Sequence, residues 1–464
     1  MSARGLIVAG TASGVGKTTV TSAIAAALSA RGITVQPFKA GPDYIDPGHL
    51  GRAAGREARN LDTWMLPRGV VAELFGRAAR GADVALVEGV MGLFDGHGGT
   101  DDAGSAADLA RLLALPVLLV VDASAVARSI AATVLGFQSF DPTVRLAGVI
   151  LNRVGGDAHA AMCRAAIEQA TGLPVVGWLP RSPEIASPER HLGLVPDAEA
   201  DGASAAEQRA RLAAIAESHL DLDLLLRLGA PVIEARPTGL FPAAQGARRV
   251  PVAIARDRAF HFYYPDALEL LEASGADLLP FSPLEDAALP AGARAVLLGG
   301  GFPEVFAREL AANEGMHSAL RTAATRGVPV YGECGGLMYL GQSLTDAEGV
   351  RHAMAGLLPC ASTMQGARLT LGYREAESRG TPLLPAGERV RGHEFHFSTL
   401  LEEPRAETAA YRFVQQGGRQ QGGRVDGVRA GSVTGTYLHT HLAARPDLAP
   451  NLVSAALAAP SGAV

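Results

Sequence analysis

RGLIVAGTASGVGKTT (residues 4–19) runs from a short apolar segment through a glycine-rich bend into Lys17, Thr18 and Thr19. The apolar segment has the length and continuity of a strand buried on both faces. A Walker A loop needs glycine, four residues and then Gly-Lys-Ser/Thr, so that backbone N–H groups cradle phosphates and the hydroxyl reaches Mg²⁺. Thr11 stands where the first glycine of that spacing falls, Gly10 precedes it, and Gly14 and Gly16 flank the bend. Lys17 and Thr18 then open a helix whose positive end favours phosphate. A strand-to-helix turn that binds nothing is the competing reading, and the unbroken Gly-x-Gly-Lys-Thr-Thr run argues against it.

Lysine occurs only twice in the 464 residues, at Lys17 and Lys39, while arginine supplies the other basic side chains. Retaining lysine in so arginine-rich a chain points to sites that need a compact ammonium rather than a planar fork. Lys39 closes the next apolar segment, ITVQPFK (33–39). Acidic residues follow at strand ends: Asp43 and Asp46 in KAGPDYIDP (39–47), Glu88 in DVALVEG (83–89) and Asp95 in GVMGLFDG (89–96). Loops at the carboxyl ends of parallel strands are where open α/β sheets bind ligand. Thr18, Asp46 and Glu88 are therefore the expected Mg²⁺ set, completed by phosphate oxygens. Asp43, Tyr44 and Asp95 are the substrate-loop candidates; for the two aspartates a helix cap or a solvated loop charge is an equal alternative. Asn152, ending RLAGVILN (145–152), either reads an adenine edge or forms a turn.

The first half alternates apolar runs with Ala-rich stretches, the βαβ rhythm of a parallel sheet covered on both faces. After a polar, helical span near 195–228 the pattern breaks at Gly229, Pro231 and Pro237, and βα rhythm resumes at VPVAIARD (250–257). The division expected is 1–235 for a nucleotide-binding domain, 236–249 for a linker, 250–447 for a second α/β domain and 448–464 for a tail. A net charge of −6 gives no general basic surface for nucleic acid. Cys163, Cys334 and Cys360 show neither metal-ligand spacing nor a disulfide framework, which fits a reducing compartment. With no signal-like leader before the loop and no apolar run near ~20 residues, a soluble cytoplasmic protein without membrane partners is expected.

VPVYGECGGLMYLG (328–341) reads as strand, sharp turn and helix with Cys334 at the bend, the layout of a nucleophile elbow. Its place at a helix start is expected to lower the thiol pKa. GGGFPE (299–304) follows its own strand, so N–H groups of Gly300 and Gly301, with that of Gly335, are oxyanion candidates. GTYLHTH (435–441) offers His439 as the base. RGHEFHFS (391–398) misses the zincin spacing by one residue and alternates like a strand, so metal binding there is not expected.

GTASGVGKTT, KAGPDYIDP, VEGVMGLFDG, YGECGGL, RGHEFHFS and TGTYLHTH, in that order, resemble the cobyrinate or hydrogenobyrinate a,c-diamide synthase family of vitamin B12 biosynthesis. The resemblance implies an α/β chain: a P-loop, dethiobiotin-synthetase-like parallel-sheet domain, then a flavodoxin-like class I glutamine amidotransferase domain. It implies ATP and Mg²⁺, with a corrinoid acid and L-glutamine as substrates, amidated through an acyl phosphate in a closed passage for ammonia. A homodimer is compatible with it. It makes Cys334 the nucleophile and His439 its activator. Class I amidotransferases place a glutamate two residues beyond that histidine; here His441 occupies the position, leaving His441 and Glu394 as third-member candidates. Related partitioning ATPases carry a second lysine where this chain has Ala12, which argues against a partner-binding switch. The same chemistry on another tetrapyrrole acid, such as nickel-sirohydrochlorin, is the alternative within the enzyme class.

Overall fold

A computed structural model of the chain describes residues 3–181, 189–190, 193–194, 202–242, 249–366, 368–416 and 423–460. Part of the polar span near 195–228, and residues 243–248 of the linker assigned to 236–249, lie outside the described residues. The chain divides into two units, Met1–Pro237 and Thr238–Val464. Among the described residues no helix is long and apolar enough to cross a membrane.

The first unit is built on seven strands: β1 (Arg4–Gly10), β2 (Val35–Ala40), β3 (Arg59–Leu61), β4 (Val84–Glu88), β5 (Val117–Asp122), β6 (Leu146–Val154) and β7 (Val175–Pro180). They pair in parallel in the order β3-β2-β4-β1-β5-β6-β7, with Ala230–Pro231 added antiparallel to β1. Leu6, Ile7, Val8 and Ala9 are at most 1% exposed, as a strand covered on both faces requires. Helix α1 (Lys17–Ala30) buries Ala23, Ala25, Ala26 and Ala27 between the sheet and the helix Gly202–His219. These small side chains let helices approach closely and cost little rotamer entropy. The sheet runs outward from β1 in both directions, so its loops part above the β1 and β4 ends, where ligands bind in such sheets.

The second unit has a six-stranded sheet in the order Ala276–Phe281, Val250–Ala255, Ala295–Leu298, Val330–Glu333, Val433–Thr436 and Val428–Ala430. Only the last pairing is antiparallel. Arg389–His396 is a strand, as its alternation suggests, and pairs antiparallel with Thr370–Ser378 in a separate four-stranded sheet. An isolated bridge joins His393 to His439 and so ties that sheet to the loop after Val433–Thr436. One expectation is corrected: the segment 448–464 opens with a helix, Leu448–Ala458, rather than a free tail. Leu448, Ala449, Leu452, Val453 and Ala456 are buried, and Arg294 donates to the carbonyls of Ala456 and Leu457 at its carboxyl end. Burial of one apolar helical face holds it to the unit.

Candidate active site

In the first unit the loop after β1 bends at Gly14 (φ 75°) and Gly16 (φ 91°), the left-handed region that glycine enters without strain. A Cβ at Gly16 would lie 2.0 Å from the Asn152 amide nitrogen, so this glycine also permits a close approach. Asn152 Nδ2 donates to Val15 O at 2.8 Å, and the neighbouring Arg153 donates to Gly14 O at 2.7 Å. One end of the Asn152 amide is thus committed to bracing the loop rather than to a base edge. Arg153 was not expected from the sequence; its only signal was adjacency to Asn152 at a strand's carboxyl end. Lys17 Nζ donates to Ala12 O at 3.0 Å, and Thr11 N to Val120 O at 3.2 Å. Burial, then the charge of Lys39, lowers Lys17 to about 8 against the opposing carboxylates.

Lys39 and Glu88 are register partners on β2 and β4, which puts their side chains side by side. Lys39 Nζ lies 2.7 Å from Glu88 Oε1 and 2.6 Å from Asp46 Oδ2. Thr18 Oγ1 donates to the same Glu88 oxygen at 2.8 Å. Burial pushes Glu88 up to about 7 although Lys39 opposes it. Burial also works against the charged forms of Lys39 and Asp46, but their mutual attraction prevails, raising Lys39 and lowering Asp46. The expected residues Thr18, Lys39, Asp46 and Glu88 therefore meet. Asp46, however, is engaged by Lys39. Among the described residues Glu88 Oε2 is buried without a hydrogen-bond partner. That oxygen beside the Thr18 hydroxyl fits a Mg²⁺ that also takes phosphate oxygens; the fit needs no larger acidic cluster. Thr19, one residue on, lines a cleft that α2 (Asp46–Ala54) and the helix Gly202–His219 also line.

The loop aspartates are more local. Asp43 accepts the N–H groups of Ile45 at 2.7 Å and Asp46 at 2.9 Å, capping α2, and burial then the Asp46 charge raise it to about 6. Asp95 accepts Gly92 N–H at 2.8 Å within its own turn. For both, the cap or turn alternative describes the contact seen. Tyr44 is half-buried in the same loop.

In the second unit Cys334 joins the strand Val330–Glu333 to the helix Gly335–Leu340 with φ 49° and ψ −100°. Positive φ in a non-glycine residue stores roughly 1–3 kcal/mol of strain and is typical of functional bends. The turn is held by Cys334 N–H donating to Thr436 O at 2.7 Å. Burial, then the charge of Glu304, pushes the thiol above its ordinary range, and the Gly335 N–H opposes this. The expected lowering by a helix start is overturned, because a six-residue helix offsets little of the desolvation. A Cβ on Gly335 would lie 3.2 Å from Gly301 N, and one on Gly300 would lie 2.9 Å from His439 Cε1. Gly300, Gly301, Gly335 and His439 are therefore neighbours around the elbow.

His439 is fully buried, and burial holds its pKa well below the ordinary value. Its ring stacks on His393 at 4.9 Å, and the two backbones exchange N–H···O bonds of 2.8 and 3.1 Å. His393 Nε2 lies 2.9 Å from Tyr264 Oη. The third-member candidates are committed elsewhere. His441 Nδ1 accepts Ala443 N–H at 3.0 Å, and its ring stacks on Tyr264 at 4.5 Å. Glu394 is ion-paired with Arg374 and Arg424, which with His396 hold it at about 2 despite burial. The carboxylate within ion-pair distance of His439 is Glu333, with Oε2 3.8 Å from Nδ1, while the charge of Glu394 also acts on the ring. Sequence reasoning passed over it although it adjoins Cys334 in YGECGG.

A phosphate-binding bend with a lysine–carboxylate cluster and a cysteine elbow with a buried histidine, on two α/β units of one chain, match two domain families. Residues 6–195 match the CobQ/CobB/MinD/ParA nucleotide binding domain, and residues 251–447 the CobB/CobQ-like glutamine amidotransferase domain. Together they define a glutamine-dependent ligase. The cobyrinate a,c-diamide synthase of Salmonella typhimurium is 46% identical over 457 residues, covering 97% of both chains. That of Synechococcus sp. is 45% identical over 453 residues, covering 97% of this chain and 98% of the relative. The hydrogenobyrinate a,c-diamide synthase of Streptomyces coelicolor is 42% identical over 482 residues, covering 97% and 96%. The chain belongs to the cobyrinate/hydrogenobyrinate a,c-diamide synthase family.

Proposed function

We propose that the chain amidates the a and c acetate carboxylates of hydrogenobyrinic or cobyrinic acid, using ATP and the ammonia of glutamine. The observation that carries this reading is the coexistence of the Lys17–Thr18–Lys39–Glu88 cluster and the Cys334–His439 elbow in a chain so similar to synthases of that name. A carboxylate resists ammonia until one of its oxygens becomes a leaving group. In the first unit the acid oxygen attacks the γ-phosphorus of ATP, the bond to ADP breaks, and an acyl phosphate forms. The residues' part is positioning and charge: backbone N–H groups of the loop and the Lys17 ammonium bind phosphate oxygens. Lys39 holds the Glu88 and Asp46 carboxylates in place. Thr18 and Glu88 would hold Mg²⁺, which supplies charge neutralisation for the phosphates. Of the loop candidates Tyr44 is assigned to the acid substrate, while Asp43 and Asp95 shape the turns of their own loops.

In the second unit the Cys334 thiol gives its proton to His439 as sulfur attacks the glutamine amide carbon. The oxyanion faces the N–H groups around Gly300, Gly301 and Gly335. His439 returns the proton to the leaving nitrogen, ammonia departs, and water releases glutamate from the thioester. Ammonia then displaces phosphate from the acyl phosphate, once at each acetate.

The test is incubation of the purified protein with ATP, Mg²⁺, glutamine and each acid in turn, followed by product mass. Two successive mass changes of one amide each, with ADP and glutamate in equal amounts, are expected. No product from either corrinoid acid, with turnover of another tetrapyrrole acid, would overturn the substrate assignment.

A further inference from the structure

We propose that Glu333 is the positioning residue of the glutaminase centre, taking the part that the glutamate two residues beyond the histidine plays in other class I amidotransferases. The inference rests on the reading of Cys334 and His439 above and adds the group that orients the base. Three observations carry it. First, Glu333 Oε2 lies 3.8 Å from His439 Nδ1. Second, the carboxylate is anchored: Oε1 accepts Thr440 N–H at 3.2 Å, and the Tyr331 hydroxyl, two residues earlier on the same strand, favours its charged form. Third, the two residues which sequence position offers for this part are committed elsewhere: His441 to the Ala443 N–H and Glu394 to two arginines.

The chemistry needs such a group. Both members of the Cys334–His439 pair are buried, and burial disfavours the thiolate and the imidazolium alike. Proton transfer from sulfur to imidazole therefore creates two charges in a site that resists both. The Glu333 carboxylate, within ion-pair distance of Nδ1, stabilises the imidazolium that forms when Nε2 takes the proton from sulfur. No bond to Glu333 forms or breaks; its part is orientation and charge. Burial pushes Glu333 itself up to about 8, with the Thr440 N–H and Tyr331 hydroxyl opposing. The titratable groups around it are His439 across the loop, Tyr331 and Cys334 on its own strand and bend, and Tyr263 and Tyr411 from neighbouring segments. The tyrosines are all pushed above the ordinary phenol range, so near pH 8 they stay neutral and Glu333 is the carboxyl that ionises there.

The experiment compares glutaminase activity, without acceptor acid, of wild type, Glu333→Gln and Glu333→Asp between pH 6 and 9. Glu333→Gln is expected to lower kcat on the order of 10²-fold or more with KM for glutamine little changed. Alkylation of Cys334 by iodoacetamide is expected to slow with it, and the rise of kcat through about pH 8 to disappear. Glu333→Asp, which keeps the charge on a shorter stem, should recover part of kcat and the pH rise. Ammonia-driven ATP hydrolysis with the acid substrate, measured in parallel, should match wild type in both variants. Wild-type kcat in Glu333→Gln overturns the proposal. So does a loss that Glu333→Asp fails to restore and that ammonia-driven turnover shares, since that is a folding defect. Failure of the corrinoid substrate assignment would show in the ammonia assay of wild type and leave the glutaminase comparison intact.

Discussion

Lys39 sits at 3% exposure between two carboxylates, where a lone ammonium would be costly and a paired one is not. Its replacement by arginine keeps the charge but puts a planar fork where a compact group bridges Asp46 and Glu88. Lys39→Arg is expected to lower acid-dependent ATP turnover about 10²-fold, the scale for a shift of about 1 Å in groups placed around a reacting centre. Phosphate release measures this, and glutaminase activity of the second unit should not follow. Glu394 makes a different prediction, on stability. Its folded pKa of about 2 lies below the ordinary glutamate value of about 4.5, so its contribution is present above about 4.5 and is lost as pH falls towards 2. Glu394→Gln should therefore destabilise at pH 7 by on the order of 3 kcal/mol, leaving Arg374 buried and under-paired. The difference in melting temperature between variant and wild type should shrink from pH 7 to pH 3; an equal difference at both would exclude the charge as its cause.

The strand–elbow–helix element of the second unit works because its glycines have no side chain. A Cβ on Gly336 would lie 2.4 Å from Leu298 O, a carbonyl of the adjacent parallel strand that cannot swing aside. Gly336→Ala is expected to push the helix Gly335–Leu340 off the sheet and displace Cys334. A shift of about 1 Å at a reacting group costs on the order of 10²-fold, so glutamine hydrolysis should fall by that order. The measurement is glutaminase rate beside circular dichroism, with the far-ultraviolet spectrum retained. The P-loop element obeys the same rule through Gly16, whose contact is the Asn152 amide.

Across the chain the two sites make one separable prediction. Cys334→Ala removes the proposed nucleophile, so glutamine should no longer support product formation. Lys17, Thr18, Lys39 and Glu88 are untouched, so ammonia at high concentration and raised pH should still give amide with ATP hydrolysis. Mass spectrometry distinguishes the outcomes: product from glutamine would exclude Cys334 as nucleophile, and no product from ammonia in a folded variant would mean the sites are not independent.

Much of this was legible in order along the chain. Glycines at bends, lysine where arginine is otherwise used, carboxylates at strand ends and a cysteine between glycines are local patterns. The backbone geometry and phosphate chemistry that require them are local as well. Hence the parallel-sheet units, the P-loop, the strand character of RGHEFHFS and the elbow at Cys334 could be read from spacing. What could not be read depends on register and burial between distant segments. Glu333 meets His439 because Val330–Glu333 runs parallel to Val433–Thr436 in one register. His441 turns to a backbone N–H instead, and Glu394 is taken by arginines 20 and 30 residues away. The thiol's raised pKa follows from desolvation, which no sequence position records. The helix Leu448–Ala458 lacks charged residues, so it is stable only against the surface that buries it. Local pattern specifies bends and strands because their physics is short-ranged; the partner of a buried charge is set only when the chain has packed.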